Sequence, residues 1–350
     1  METTSPGTRL DSLGMFAAAS SWPDQLERAL DAAAEIRGLP DHDEIESVVV
    51  LGMGGSGIAG DVAAAVAGPF MPVPLVVHKG YEAPAFVSAS TLVFAVSFSG
   101  ETEETLESAS MAAMAGGRMV AISKGGRLAE LAREWGAPHI RVPDGIPQPR
   151  AGLAALVVPI LDVLGRLGFF PGARDWVAGA VEHLRRRIPL LESETGPAAA
   201  LAADLAGTFP LIYGGGSLGG VAALRWKTQL NENAKVPAFA NCVPELMHNE
   251  ICGWGQHGDV TRQVMRLVLL RHDQEHPQVE RRFELLLELM REVVSGIDEV
   301  WAQGEGVLAQ LLDLIVFGDF VSLHLAARVG LDPGPVPVLE EIKQRLRAPT

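Results

Sequence analysis

The chain has 350 residues, of which 48% are hydrophobic and 20% charged, with a formal charge of −15 at pH 7. That composition excludes a disordered polymer and supplies chain enough for one large or two medium cores. The acidic balance argues against a general nucleic-acid surface, so an anionic ligand must be held by local geometry against the global field.

The longest apolar runs are broken by Gly, Pro or charge before the roughly 18 residues that a membrane span needs. The first residues show no basic-then-apolar signal pattern, so a cytoplasmic protein with no membrane partner is expected. Cys242 and Cys252 are the only cysteines. Their spacing matches no zinc motif, and both read as reduced thiols.

Residues 22–37 place apolar side chains at every third or fourth position and predict a helix packed outside a sheet. From residue 46, short β-prone runs alternate with Ala-rich stretches. The runs are 47–51, 73–78, 91–96, 119–123 and 139–142; the helical stretches are 56–67, 101–115 and 127–135. Residues 151–167 read as a long apolar helix closing this unit. Buried strands separated by helices predict an α/β fold with a parallel, doubly wound sheet. Pro171, Pro189 and Pro197 punctuate residues 169–205, which read as a connection built of helical pieces such as 176–187. A second strand-and-glycine signal, FPLIYGGGSLGG at 209–220, opens a helix to about 233. An apolar strand at 264–270 follows, then helices at 283–294, 307–329 and 340–347. The second half thus repeats the first in looser form. The division is 1–45 as an N-terminal helical segment, 46–168 as a first α/β domain, 169–205 as a helical linker and 206–350 as a second α/β domain with C-terminal helices.

The most informative stretch is TLVFAVSFSGETEET, 91–105. A buried strand runs into a helix start through Ser97, Ser99, Gly100 and Thr102. Such a junction gathers unpaired backbone N–H groups, the positive end of a helix dipole and three hydroxyls, which together suit a phosphate. The plainer alternative is a helix cap with a capping box, but a cap needs one hydroxyl. Upstream, Gly52, Gly54 and Gly57 satisfy the dinucleotide pattern G-x-G-x-x-G, so a nicotinamide or flavin dehydrogenase competes. That pattern also calls for a carboxylate at the end of the second strand, where this chain has Val77-His78-Lys79-Gly80. Ser56 adds another hydroxyl toward the same strand ends, and a phosphomonoester fits better than a dinucleotide.

Five ordered blocks, GMGGSGIAGD (52–61), SFSGETEET (97–105), QPRAGLA (148–154), LNENAK (230–235) and PELMHNEICGW (244–254), resemble the bifunctional phosphoglucose/phosphomannose isomerases. The resemblance implies two doubly wound parallel-sheet sugar-isomerase (SIS) domains with flanking helices. It also implies a cofactor- and metal-independent aldose–ketose isomerase acting on hexose 6-phosphates, and a homodimer. The family's phosphate grip falls on Gly55, Ser56, Ser97, Ser99 and Thr102. Its arginine falls on Arg150, its proton-transferring glutamate on Glu232, its ring-opening histidine on His248 and its C-terminal lysine on Lys343. The chain departs from the family at Glu101, where Asn is usual, and at Gly334, where the family's Pro-rich segment carries Thr.

The chemistry agrees with these residue types. Moving a proton between C1 and C2 through a cis-enediol needs a base, a cation for the developing oxyanion and an acid/base to open the ring. Each residue also has a plainer reading: a solvated Glu232, a structural His248, an Arg150 paired in the linker, a solvated Lys343. His248, Glu245 and Glu250 could group around a metal by type, but their spacing lacks the two-His helical signature. A catalytically silent SIS protein that senses a sugar phosphate is the remaining rival. Residues 1–45 offer no basic recognition helix for the DNA-binding head such regulators carry.

Overall fold

The structure, a computed structural model, describes residues 9–347. The ends of the N-terminal segment (1–8) and of the second domain (348–350) lie outside the described residues. Strands β1 (Ser47–Leu51), β2 (Leu75–His78), β3 (Thr91–Val96), β4 (Arg118–Ser123) and β5 (His139–Arg141) form one parallel sheet in the order β2-β1-β3-β4-β5. All six residues of β3 are buried. Their side chains alternate between two clusters, Leu92, Phe94 and Val96 on one face and Val93 and Ala95 on the other. A strand covered on both faces has no polar positions, which is why it reads as a continuous apolar run.

The helices of this half are α1 (Met15–Ser20), α2 (Trp22–Ala34), α3 (Gly54–Ala67), α4 (Glu103–Met114), α5 (Gly126–Glu134) and α6 (Leu153–Arg166). Two more follow, α7 (Ala173–Glu192) and α8 (Pro197–Leu205). The connection therefore differs from the helical pieces expected around Pro189: α7 is one helix of 20 residues with that proline inside it. It buries Val177, Leu184 and Ile188 in the main core.

The second sheet contains β6 (Phe209–Gly215), β7 (Phe239–Val243), β8 (Met265–Arg271) and β9 (Gly296–Trp301), all parallel, in the order β7-β6-β8-β9. Between and after its strands come α9 (Gly216–Asn233), α10 (Gly258–Val264), α11 (Pro277–Met290), α12 (Val307–Arg328) and α13 (Pro337–Arg347). Periodicity did not mark β7 and β9 because both are edge strands with partly exposed residues, FANCV and GIDEVW, mixing polar and apolar types. Helix α11 starts at Pro277, six positions before the apolar repeat suggested, with His276 accepting from the Gln278 amide at its start. Pro at the first helical position costs no hydrogen bond.

One core cluster spans both halves, joining Phe94 of β3 to Ile212 of β6 through α6, α7, α9 and α12. Helix α12 is apolar and long enough to cross a bilayer by composition, yet 94% of its most apolar stretch is buried inside the molecule. Its two aspartates are paired rather than solvated. Asp313 Oδ1 meets His183 Nε2 and Arg187 Nε, each at 2.9 Å, and its Oδ2 accepts from the Gln303 amide at 3.0 Å. Removing one partner of a buried pair leaves the other charge uncompensated. Asp313→Ala is therefore expected to lower the unfolding free energy by about 3–5 kcal/mol, measured by urea titration. An unchanged midpoint would mean that the network adds nothing to stability.

Candidate active site

In the first sheet the chain leaves β1 toward β2 on one side and β3 toward β4 on the other. The carboxyl ends of β1 and β3 thus flank the point where the winding reverses, the usual ligand crevice of such sheets. Both strands feed helices there. β1 enters α3 through Gly52 to Gly54, and β3 enters α4 through Ser97 to Thr102. Ser56 Oγ accepts from the Phe98 amide at 3.2 Å, which ties the glycine loop to the hydroxyl turn. Ser97 Oγ lies 2.9 Å from Thr102 Oγ1 and accepts from the Gly100 amide, while Ser99 Oγ accepts from the Glu101 amide.

Neither of these helix starts carries a side-chain cap. Thr102, the N-cap of α4, makes no side-chain cap bond, and Met53, the N-cap of α3, has none either. Two helix starts therefore converge with first-turn N–H groups that no capping side chain satisfies. Gly100 makes the turn feasible: its φ is 78°, and a Cβ there would sit 1.9 Å from the Gly125 carbonyl oxygen. Glu101 turns to the neighbouring helix, where its carboxylate accepts from the Arg127 amide at 2.9 Å, at the start of α5. The dinucleotide alternative finds no support at Lys79, whose ammonium pairs with Asp61.

Arg150 lies beside this loop. It sits in a 3-10 turn (Pro149–Gly152) just before α6 and is only 4% exposed. A Cβ on Gly55 would come within 3.8 Å of Arg150 Cα, so the glycine loop and the arginine turn are neighbours. Phe98 packs against Gly152 on the other side of the turn, with Lys124 Nζ 4.5 Å over its ring. Arg150 Nε donates to Asn233 Oδ1 at 2.7 Å, and Nη2 donates to the carbonyls of Pro333 and Gly334. Nη1 faces Glu232 Oε2 at 3.6 Å. Burial is the main influence on this guanidinium and draws its pKa below the ordinary value, with Glu232 opposing. Arginine stays charged through such a shift. A half-buried carboxylate and a fixed cation thus stand together beside the hydroxyl turn.

Lys235 was not singled out by its residue type, and it proves to be part of this construction. It follows α9 with φ 56°, the only positive φ at a non-glycine among the described residues. Its Nζ donates to the carbonyls of Glu232, Asn233 and Asp332. Lys235 thereby closes the carboxyl end of α9 and holds the segment that presents Pro333 and Gly334 to Arg150. The signal available in the sequence was its place two residues after the Asn-Glu-Asn run, within LNENAK.

The other sequence candidates lie apart. His248 is exposed on a short turn (Glu245–His248), and Lys343 is exposed on α13. Neither makes a hydrogen bond or ion pair with Arg150 or Glu232 among the described residues. Glu245 accepts from Asn249, and Glu250 from Tyr213 and Asn241. No metal-like group of His, Cys, Asp and Glu occurs among the described residues. At Gly334 the space for a side chain is already filled, since a Cβ would lie 2.8 Å from Leu13 Cγ.

The second sheet also reverses its winding, between β6 and β8, and also has a glycine turn there. That crevice is occupied by the protein itself. A Cβ at Gly215 would lie 2.8 Å from Glu275 Oε1, and His272 Nε2 meets the Gly215 carbonyl oxygen at 2.8 Å. Arg271 holds the Glu275 carboxylate through Nε and Nη2. An internal carboxylate thus lies against the start of the helix that follows β6.

Comparison with known proteins finds a match for each half of the chain. Residues 44–136 match the SIS domain, and residues 194–346 match the bacterial phospho-glucose isomerase C-terminal SIS domain. A bifunctional phosphoglucose/phosphomannose isomerase from Caldicellulosiruptor bescii is 34% identical over 95% of this chain and 98% of that protein. One from Aquifex aeolicus is 34% identical over 88% of this chain and 92% of that protein. Among solved structures, a glucosamine-6-phosphate deaminase from Thermotoga maritima superposes with a TM-score of 0.67 at 13% identity, over 92% of this chain and 97% of that one, a likeness of fold.

The missing cap bond makes Thr102 diagnostic. Thr102→Ala is expected to weaken inorganic phosphate binding about tenfold, the loss of roughly 1.5 kcal/mol for a hydrogen bond to a charged acceptor, with little change in thermal midpoint. A lower midpoint with unchanged phosphate affinity would make the turn a cap and nothing more.

Proposed function

Because the chain belongs to the bifunctional phosphoglucose/phosphomannose isomerase family, we propose that it interconverts the aldose and ketose forms of hexose 6-phosphates, with Glu232 moving the proton. The substrates in this reading are glucose 6-phosphate and mannose 6-phosphate, with fructose 6-phosphate as the shared ketose. The observation that supports it most directly is the approach of Arg150 Nη1 to Glu232 Oε2 at 3.6 Å beside the hydroxyl turn.

The phosphate sits in the turn of Gly55, Ser56, Ser97, Ser99 and Thr102 and anchors the far end of the sugar. After ring opening, Glu232 removes the proton from C2 of the aldose. The electron pair forms the C1–C2 double bond and charge develops on O1, where the Arg150 guanidinium stabilises it. Glu232 then returns the proton to C1, and the hydroxyl proton passes from O2 to O1, leaving the carbonyl at C2. No electrons leave the substrate. His248 opens the ring, and its exposure on its own turn fits a homodimer in which it serves the neighbouring subunit's site. Lys343 adds a further cation from α13. A cytoplasmic location accords with these substrates.

Purified protein given fructose 6-phosphate, without added cofactor or metal, is expected to form aldose phosphate, and in deuterated water to place deuterium at C2. Glu232→Gln keeps the shape of the side chain and removes the proton acceptor, so turnover should fall by on the order of 10²-fold or more. Mixing it with inactive His248→Ala should restore activity in hybrid dimers. Tight sugar-phosphate binding with no turnover in the wild type would identify a silent sensor instead.

Gly334 bears on sugar choice. C2 epimers differ in where the C2 proton lies, so serving both requires the sugar or its enediol to turn beneath one base. The family's threonine offers a hydroxyl where this chain has the Leu13 side chain packed against Gly334. Glucose 6-phosphate is expected to have the higher kcat/KM. Leu13→Ala combined with Gly334→Thr makes room for the hydroxyl and should move the ratio toward mannose 6-phosphate. A wild type preferring mannose 6-phosphate, or a ratio unmoved in the double variant, would remove Gly334 from the account of selectivity.

A further inference from the structure

Arg150 is positioned from behind as well as from its own loop. On α9, Arg225, Gln229, Glu232 and Asn233 follow at intervals of four, three and one, so they lie along one face of the helix. That face meets Asp319 and Ser322, one turn apart on α12. Arg225 is 1% exposed and clasps Asp319 with both arms of its fork, Nε to Oδ1 at 2.9 Å and Nη2 to Oδ2 at 2.8 Å. The same Nη2 donates to the backbone carbonyl of Arg150 at 2.6 Å. Ser322 Oγ donates to the Asp319 carbonyl at 2.7 Å and accepts from Asn233 Nδ2 at 2.9 Å, and Asn233 Oδ1 receives Arg150 Nε. The main chain and the side chain of Arg150 are thus both fixed by one polar frame.

We propose that the buried Arg225–Asp319 pair is a positioning device for Arg150, holding its one forward-facing nitrogen toward the Glu232 carboxylate and the enediolate oxygen. The inference rests on the isomerase reading given above. Neither residue reaches the sugar in this account; both act through Arg150.

A purely structural role is the weaker explanation on two grounds. Buried ion pairs often contribute little net stability, because desolvating two charges offsets their attraction. Packing alone would not require the Arg225 fork to spend a donor on the carbonyl of another arginine. Bringing two guanidinium groups together is unfavourable, and Asp319 faces both: burial pushes its carboxyl pKa up, and Arg225 and Arg150 oppose that rise. With Asp319 held ionised in the Arg225 fork, the cluster of Arg150, Arg225, Asp319 and Glu232 is neutral when the base is ionised. When Glu232 holds the substrate proton, the cluster carries one net positive charge, opposite the negative charge then on the enediolate.

The test uses the full-length protein with both residues replaced by apolar ones of similar volume, Arg225→Met with Asp319→Leu, a kind of exchange that buried pairs tolerate. Three quantities are read: kcat, KM for fructose 6-phosphate, and the affinity of a five-carbon aldonic acid 5-phosphate whose planar carboxylate stands in for the enediolate. The expected result is a kcat lower by on the order of 10²-fold, as for a misplaced catalytic group, with KM and inorganic phosphate affinity near those of the wild type. Affinity for the aldonic acid should fall in step with kcat. A folded double variant with wild-type kcat and wild-type aldonic acid affinity would overturn the proposal and leave the pair as scaffold. Should that variant fail to fold, Arg225→Lys decides, since it keeps a cation opposite Asp319 and loses the fork that reaches the Arg150 carbonyl. It is expected to lower kcat at constant KM, and an unchanged kcat would overturn the proposal. A wild type without isomerase activity would instead remove the reading on which the inference rests, a result distinct from either of these.

Discussion

The buried guanidinium of Arg150 is the constraint around which the two halves of this molecule are arranged. It belongs by sequence to the turn after the first sheet, yet its hydrogen-bond acceptors come from α9, in the second, and from the segment before α13. A charge at 4% exposure is costly unless its donors are matched. Matching them brings Asn233, Pro333 and Gly334 to one place. Because Glu232 is the residue before Asn233, satisfying the arginine also carries the carboxylate to the side of the molecule where the glycine loop and the hydroxyl turn lie. The approach of Glu232 to Arg150 thus follows from solving a burial problem.

The two sheets are wound alike and reach opposite outcomes at their reversal points. In the first, hydroxyls of Ser56, Ser97, Ser99 and Thr102 surround two helix starts that lack capping side chains. In the second, Glu275 lies against Gly215 at the start of α9 and is neutralised by Arg271. The positive end of the α9 dipole thus faces Glu275, while Glu232 and Asn233 sit at its other end. One domain contributes the beginnings of its helices and the other contributes the end of one.

Close approach of backbone explains the glycines that resemble a dinucleotide fingerprint. A Cβ on Gly52 would lie 2.9 Å from the Val96 carbonyl oxygen, and one on Gly57 would lie 2.7 Å from the Gly52 carbonyl oxygen. These residues let α3 press against β1 and β3. The need is common to any tight strand-to-helix turn, so the pattern by itself does not select a ligand.

Local sequence determined the strands of the first sheet, the helices between them and the place of the hydroxyl turn, because each depends on neighbours a few residues away, whereas the short helix α1 ahead of residue 22 was not marked. β3 is apolar throughout since both of its faces are covered, and Ser97, Ser99 and Thr102 fall on one turn by covalent spacing alone. Arg150 and Glu232 were legible as residue types within motifs that resemble a known family, though nothing local placed them 3.6 Å apart. The edge strands β7 and β9 were missed because partial exposure blurs their alternation. Tertiary structure alone decided that Arg225 would clasp Asp319, that Lys235 would close α9 against Asp332, and that Leu13 would fill the space beside Gly334. Each of these joins residues about 90 or more positions apart. Which distant partner a buried donor meets is set by how the helices pack in the shared core, and periodicity along the chain carries no record of that.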